Sequence, residues 1–395
     1  MKYESVAILD VRSNEVSFSL GTKGVNGTFI FNDSHSENHE GFLVDGFFDV
    51  ASFRRAVATS VTSVRQNHGG ALQEVYVGVP APFVGLRTKG HTISFSKKRK
   101  ITMQDIDALY ESGLNELMES GRCIRRSAMY FSLGDNRKYF SAESLLGVSS
   151  TLLKGALCYY FVSDEFYETM TGLLGNLGFS KVHFIPSSLA QLTYLIPEKK
   201  REGYAFLLDV GFLTTTISVV YGNGIVREES FNCGIGTVVV ALMQDLGIEY
   251  ELAEEILYGS NISGGVVSKD EPFRTERGEE ISTIEHINDV IKCALDVACE
   301  GVENVLNKYY KDNASTGLTV NPINVTGEGV GVIKGIAEHI ASRLNRLTTV
   351  VCPDLPYYDK PYFSSRMALL ATSTSDKKKK GFFHRIFNGH KGENK

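Results

Sequence analysis

The strongest constraint on this chain is a motif that occurs twice, about two hundred residues apart. Near the N-terminus, Val6-Ala-Ile-Leu-Asp10-Val11 is an apolar run ending in an acid. The polar turn Arg12-Ser13-Asn14 follows it, and then the alternating stretch Val16-Ser-Phe-Ser-Leu20. The pattern returns as Tyr204-Ala-Phe-Leu-Leu-Asp209-Val210, the turn Gly211-Phe-Leu-Thr214-Thr215-Thr216 and the stretch Ile217-Ser-Val-Val-Tyr221. The second copy continues through Gly222-Asn-Gly224, a good hairpin turn, into Ile225–Phe231. Each copy predicts a buried strand, a tight turn and an antiparallel partner strand. Two unrelated hairpins would share Leu-Asp-Val only by chance. The functional alternative has a physical basis: a strand-end Asp beside a turn with free backbone N–H groups holds a hydrated divalent ion and a phosphate. Two such units facing one another would clamp the phosphate chain of a nucleotide from both sides.

With 395 residues there is length for two or three domains, and 43% hydrophobic against 22% charged residues is ordinary globular usage. The rest of the pattern fits a two-lobed α/β protein. Helical periodicity is clear at 102–117, 165–177, 236–246, 252–257 and 281–309, the last with Ile284, Ile287, Ile291, Leu295 and Val302 on one stripe of core type. Near the end, Ile323-Asn-Val-Thr326-Gly327-Glu328-Gly329 predicts a strand feeding a glycine turn, followed by a helix over 333–347. Glycines there would let backbone approach a flat ligand or a phosphate. The polar run 32–40, with His35 and His39, is expected to be a solvated loop rather than a metal site. Lys97-Lys98-Arg99-Lys100 is expected to be another, because a nucleic-acid patch would need aromatic partners that are not nearby. Six cysteines with no C-x-x-C pair point to reduced thiols, and Met1-Lys-Tyr-Glu-Ser lacks the apolar stretch of a secretion signal, so a cytoplasmic protein is expected.

Two Asp-ended hairpins, a helix between them and a terminal strand–glycine turn–helix resemble the actin/Hsp70/hexokinase superfamily. Within it, the chain most resembles the bacterial cell division protein FtsA family over nearly its whole length. The resemblance is carried by Val75-Tyr-Val-Gly-Val-Pro80 with Arg87-Thr-Lys-Gly-His-Thr-Ile-Ser94, by Ile185-Pro-Ser-Ser-Leu-Ala-Gln191, by Cys233-Gly-Ile-Gly236 and by Leu252-Ala-Glu254-Glu-Ile-Leu257-Tyr-Gly259. It implies an α/β, actin-like two-lobed ATPase fold with an FtsA-type inserted subdomain. Subdomain 1A would span 1–83 plus 161–200, the inserted 1C 84–160, 2A 201–232 plus 317–371, and 2B 233–316. It also implies ATP and magnesium between the lobes, with Asp10 and Asp209 on the metal side, acting through water. Arg12, Ser13, Asn14, Gly211, Thr214 and Thr215 would lie at the phosphates, and Gly234, Gly236, Glu254, Gly327 and Gly329 on the adenosine side.

The departures from that family's motifs are as informative. Arg12 stands where glycine is usual, Phe212 and Leu213 replace two glycines of the second turn, and Thr216 replaces an acid. Gly234-Ile235-Gly236 stands for Gly-Gly-Asp, Glu328 interrupts the terminal glycines, and Leu257 replaces a lysine. Bulky residues resist positive φ and crowd a phosphate. These changes weaken or abolish nucleotide binding, so either a weak ATP site or a vestigial cleft is expected, and at most a weak ATPase. No catalytic base can be named. Arg12 cuts the other way, as a partner for a phosphate or a substitute for a cation.

The C-terminus carries the second signal. A polar linker is expected over 372–380, then a membrane-surface helix over 381–395 with Phe382, Phe383, Ile386 and Phe387 on one face and Lys377, Lys378, Lys379, Lys380 and Arg385 around them. Net charge is −5, but the last twenty residues hold seven Lys/Arg against two Asp/Glu and the remainder 34 against 44. An acidic body thus carries a basic, aromatic foot, suited to an anionic membrane surface. These features, with the resemblance, imply a self-associating protein that tethers FtsZ filaments to the inner face of the cell membrane at the division site, with no nucleic-acid partner. An active ATPase of the same superfamily and a type IV pilus assembly protein resembling PilM are the competing readings.

Overall fold

A computed structural model describes residues 5–24, 27–68, 72–117, 121–135, 137–263, 270–312 and 321–389, with side chains outside 309–312 and 379–389. Two five-stranded sheets organise it. In the first, the order is Lys181–Pro186, Glu74–Val79, Val6–Val11, Glu15–Lys23, Phe29–Asn38. In the second it is Thr348–Val350, Ile323–Thr326, Tyr204–Val210, Thr215–Tyr221, Gly224–Phe231. The topologies are identical: an antiparallel meander whose first strand also pairs parallel with a strand returning from a crossover. Asp10 lies opposite Ser17 and Asp209 opposite Thr216, so the duplicated acids occupy the same register position in the two sheets.

The leading strands read as unbroken apolar runs because both of their faces are covered. Ala7, Leu9 and Val11 pack beneath the helices Val50–Asn67 and Asp164–Asn176, while Val6 and Ile8 face the other way. In the second sheet Phe206, Leu208 and Val210 meet the helices Ile235–Leu246, Tyr250–Gly259 and Ile284–Asp312. A three-stranded antiparallel sheet, ordered Val84–Lys100, Ser149–Val162, Arg122–Ser132, carries the helix Met103–Asn115 over its own core of Ile106, Leu109, Leu153 and Leu157.

Covering the open face of the first sheet is the terminal helix, Ser364–Gly389. Its Met367, Ala368, Leu369 and Leu370 are fully buried. They fit because the sheet presents glycines beneath them: a Cβ on Gly78 would lie 2.7 Å from Leu369 Cδ1, and one on Gly21 2.5 Å from Leu370 Cδ2.

Several expectations need correction. Most of the polar run 32–40 belongs to an edge strand, Phe29–Asn38, whose partner supplies backbone hydrogen bonds whatever the side-chain polarity. Lys97–Lys100 ends the strand Val84–Lys100, with Arg99 paired to Asp105 of the following capping box. The helix expected over 333–347 is confined to Ile336–Arg343, which starts after Gly335 at φ +91°, and the expected glycine turn runs into a short helix of its own, Glu328–Val332. The stretch expected as a linker, 372–380, continues the terminal helix. Ser373 is buried there, and Asp376 accepts two hydrogen bonds from Arg125, at 2.5 and 3.1 Å. That helix includes Phe382, Phe383, Arg385, Ile386 and Phe387, whose side chains, with those of Lys379 and Lys380, lie outside the described residues. Among the described residues no helix is long and apolar enough to cross a membrane.

Candidate functional site: the interlobe cleft

The duplicated turns meet between the sheets. Ser13 Oγ, in the first turn, accepts a hydrogen bond of 2.9 Å from the Leu213 N–H in the second. Leu213 also packs on Gly41, where a Cβ would lie 2.3 Å from Leu213 Cδ1. Nearby, the Val44 N–H donates to Asn232 Oδ1 at 2.9 Å. The lobes therefore touch directly at the point where a phosphate chain would run.

Each strand-end acid is held by a donor from a distant segment. Asp10, 1% exposed, accepts from Ser365 Oγ at 2.6 Å. Asp209 accepts from Gln191 Nε2 at 2.9 Å. Burial pushes the Asp209 carboxyl above its usual range, with the Asp10 charge adding to the effect and the Gln191 hydrogen bond opposing it.

Arg12 is the centre of the site. Its Nη2 is paired with Glu15, Nη1 lies 3.8 Å from Glu328 and Nε lies 3.9 Å from Asp10. The guanidinium also sits 3.9 Å from the centroid of the Tyr362 ring. Burial disfavours its charge, but Glu15, Asp10, Tyr362 and Glu328 more than offset that, so its pKa is raised. The turn beneath it is fixed by His39, whose ring N–H donates to the Arg12 carbonyl at 3.1 Å while its other nitrogen accepts from the Gly41 N–H at 3.0 Å. These two partners define a neutral imidazole with the proton on Nε2. Burial pulls its pKa down to about 4.

The second turn and the helix after it spend several of their donors within the protein. The Gly211 N–H bonds the Thr214 carbonyl, and the Ile235 and Gly236 N–H groups, at the start of their helix, bond the carbonyls of Gly211 and Phe212 at 3.1 and 2.8 Å. Those helix amides would otherwise be the natural phosphate donors. The glycines are equally committed. A Cβ on Gly234 would lie 2.3 Å from the Phe212 carbonyl oxygen, and one on Gly327, where φ is +98°, 2.2 Å from Asp209 Oδ1. Both glycines make room for the protein's own chain.

Of the residues expected at the site, Arg12, Ser13, Asp209, Gly211, Thr214 and Gly327 line one cavity between the lobes. Asp10, Thr215, Gly234 and Gly329 are packed behind them, Asn14 closes the first turn with its carbonyl accepting from the His39 N–H at 2.9 Å, and Gly236 sits against Phe212. Glu254 stands on the helix Tyr250–Gly259, accepting from the Tyr250 hydroxyl at 2.7 Å. Sequence reasoning missed Gln191, Tyr362, Ser365 and His39. A Ser-Ser-x-x-Gln helix start flags the first, but nothing local flags the others.

The cavity measures about 70 Å³, whereas ligand pockets enclose roughly 300–1,000 Å³. A guanidinium stands beside Asp10, and the Gly211, Leu213, Ile235 and Gly236 amides are bonded within the protein. In this arrangement the residues do not fit magnesium and ATP.

No family model matches the sequence and no curated protein matches it, so the FtsA resemblance rests on the motifs quoted above. Solved structures do match. The chain is similar to a PilM–PilN type IV pilus biogenesis complex (TM-score 0.61, 12% identity, 93% of this chain and 98% of that one). It is also similar to MreB 5 of Spiroplasma citri bound to AMPPNP (0.53, 10%, 96% and 99%). A third match is the ethanolamine utilization protein EutJ from Carboxydothermus hydrogenoformans (0.52, 11%, 94% and 90%). The duplicated sheets, the cleft between them and these whole-chain similarities together give the chain the actin-like, two-lobed ATPase fold.

Proposed function

We propose that this protein is a non-hydrolysing, actin-like adaptor of the FtsA type. In this reading it self-associates, binds the inner face of the cell membrane through its terminal helix and tethers FtsZ filaments there. The observation that carries the reading is the seating of that helix. Its first turns are buried against the first sheet, and the same helix runs on through Lys377 and Lys378 to Gly389. Up to Gly389, the backbone that bears the basic, aromatic residues thus continues the helix seated on the first sheet. Lysines near an anionic leaflet contribute about 1 kcal/mol each. One short helix binds reversibly, and polymerisation multiplies its effect. The closed cleft supports an adaptor over a nucleotide-driven cycle.

The test is co-sedimentation with anionic liposomes and FtsZ, comparing the full chain with one lacking 381–395. The full chain should carry FtsZ to the liposome fraction and the truncated chain should not. Liposome binding unchanged by the truncation would refute the tether. A second reading, a PilM-like pilus assembly component, is favoured by the whole-chain similarity to the PilM–PilN complex. Binding of a PilN-type peptide in place of FtsZ would select it.

A further inference from the structure

We infer that Arg12 is a built-in cation: its guanidinium stands where an actin-like cleft would take a hydrated divalent ion, and it clasps the two lobes together without metal or nucleotide. Each nitrogen of the fork faces a carboxylate from a different position. Glu15 opens the second strand of the first lobe, Asp10 is the last residue but one of the first strand, and Glu328 follows the strand Ile323–Thr326 of the second lobe. A guanidinium is planar and always charged, so it bridges three acids where a bare carboxylate cluster would repel itself.

Glu15 has a second cation, Arg366, at 3.7 Å, and accepts from the Tyr362 hydroxyl at 3.0 Å. Asp10 and Glu328 are given no second cation among the ion pairs of the described residues. Asp10 Oδ2 is buried without a hydrogen-bond partner among the described residues, and so are Arg12 Nε and Nη1, so the guanidinium meets Asp10 and Glu328 through charge and not through hydrogen bonds. Among the described residues no three His, Cys, Asp or Glu side chains converge closely enough to hold a bare ion. At 3.8 and 3.9 Å, Glu328 and Asp10 are ion-paired with the guanidinium beyond hydrogen-bond distance, whereas Glu15 touches it directly.

The clasp also reaches the base of the terminal helix. Tyr362 stacks on Arg12, Ser365 Oγ donates to Asp10, and Thr326 Oγ1 meets Ser364 Oγ at 2.7 Å. Opening the cleft would therefore loosen the seat of the arm that carries the basic foot. The inference stands independently of FtsZ or any other partner.

Three variants of the full chain test it: Arg12→Gln, Arg12→Lys and Glu328→Gln. Thermal melts are followed while Mg²⁺ is titrated without nucleotide. The wild type and Arg12→Lys should be indifferent to Mg²⁺, whereas Arg12→Gln should melt lower and regain stability saturably as Mg²⁺ rises. Glu328→Gln keeps the first-lobe pairs, so it provides a folded background even where Arg12→Gln does not fold. It should show at least tenfold faster amide exchange across 211–216 and 364–376. A saturable Mg²⁺ shift in the wild type would overturn the inference. So would an Arg12→Gln variant that melts like wild type or ignores Mg²⁺, or unchanged exchange in Glu328→Gln.

Discussion

Acidification should weaken this fold through one imidazole, His39, beginning near the ordinary imidazole pKa of 6.5. The ring donates through Nε2 to the Arg12 carbonyl and accepts at Nδ1 from the Gly41 N–H. A second proton would set two N–H groups against each other in a buried site. The folded-state pKa is lowered to about 4 from 6.5, mainly by burial. The unfolded chain therefore takes up this proton first. The sign is that of a buried neutral base: the contribution is complete above pH 6.5 and is lost as pH falls toward 4. Between about pH 7.5 and 4.5 the loss works out at about 2.5 kcal/mol. Urea unfolding at several pH values measures it directly. His39→Gln keeps a donor for the Arg12 carbonyl but cannot titrate, so it should be less stable at neutral pH by about 1–3 kcal/mol through the orphaned Gly41 N–H. It should also lack the extra acid loss. Parallel loss of stability in the two proteins would refute the assignment of the neutral tautomer and its role beneath Arg12.

Two further outcomes follow from the terminal helix. Leu369→Ala empties a fully buried site above Gly78 and should cost about 2–5 kcal/mol, read as a fall in the urea midpoint; a change within error would mean that the helix does not seat on the sheet. Asp376→Asn weakens a partly exposed pair with Arg125, so global stability should fall by only about 0–1 kcal/mol. Exchange protection over 372–378 should fall, and unchanged protection there would show that the pair does not hold the helix.

The duplicated hairpins were legible because both faces of their leading strands are buried, so the apolar run and its terminal acid survive as a pattern in sequence. The strand Phe29–Asn38 was not, since an edge strand needs only backbone partners and tolerates Asn, Ser, His and Glu. The polar residues at 372–376 suggested a linker, yet they continue a helix begun by the buried run Met367–Leu370 and lie partly against the protein. In the cleft, Arg12 and Glu328 were conspicuous as charges in turns that favour glycine. Tyr362, which stacks on Arg12, and Ser365, which holds Asp10, were invisible because they arrive from some 350 residues along the chain. His39 was hidden by its polar neighbours.

The central claim is that this actin-like cleft is closed by the protein's own side chains and works without nucleotide. Isothermal titration of the full chain with ATP in excess Mg²⁺ tests it most directly. The account predicts no saturable heat for the wild type. Saturable binding near one nucleotide per chain, abolished by Asp209→Ala, would contradict it.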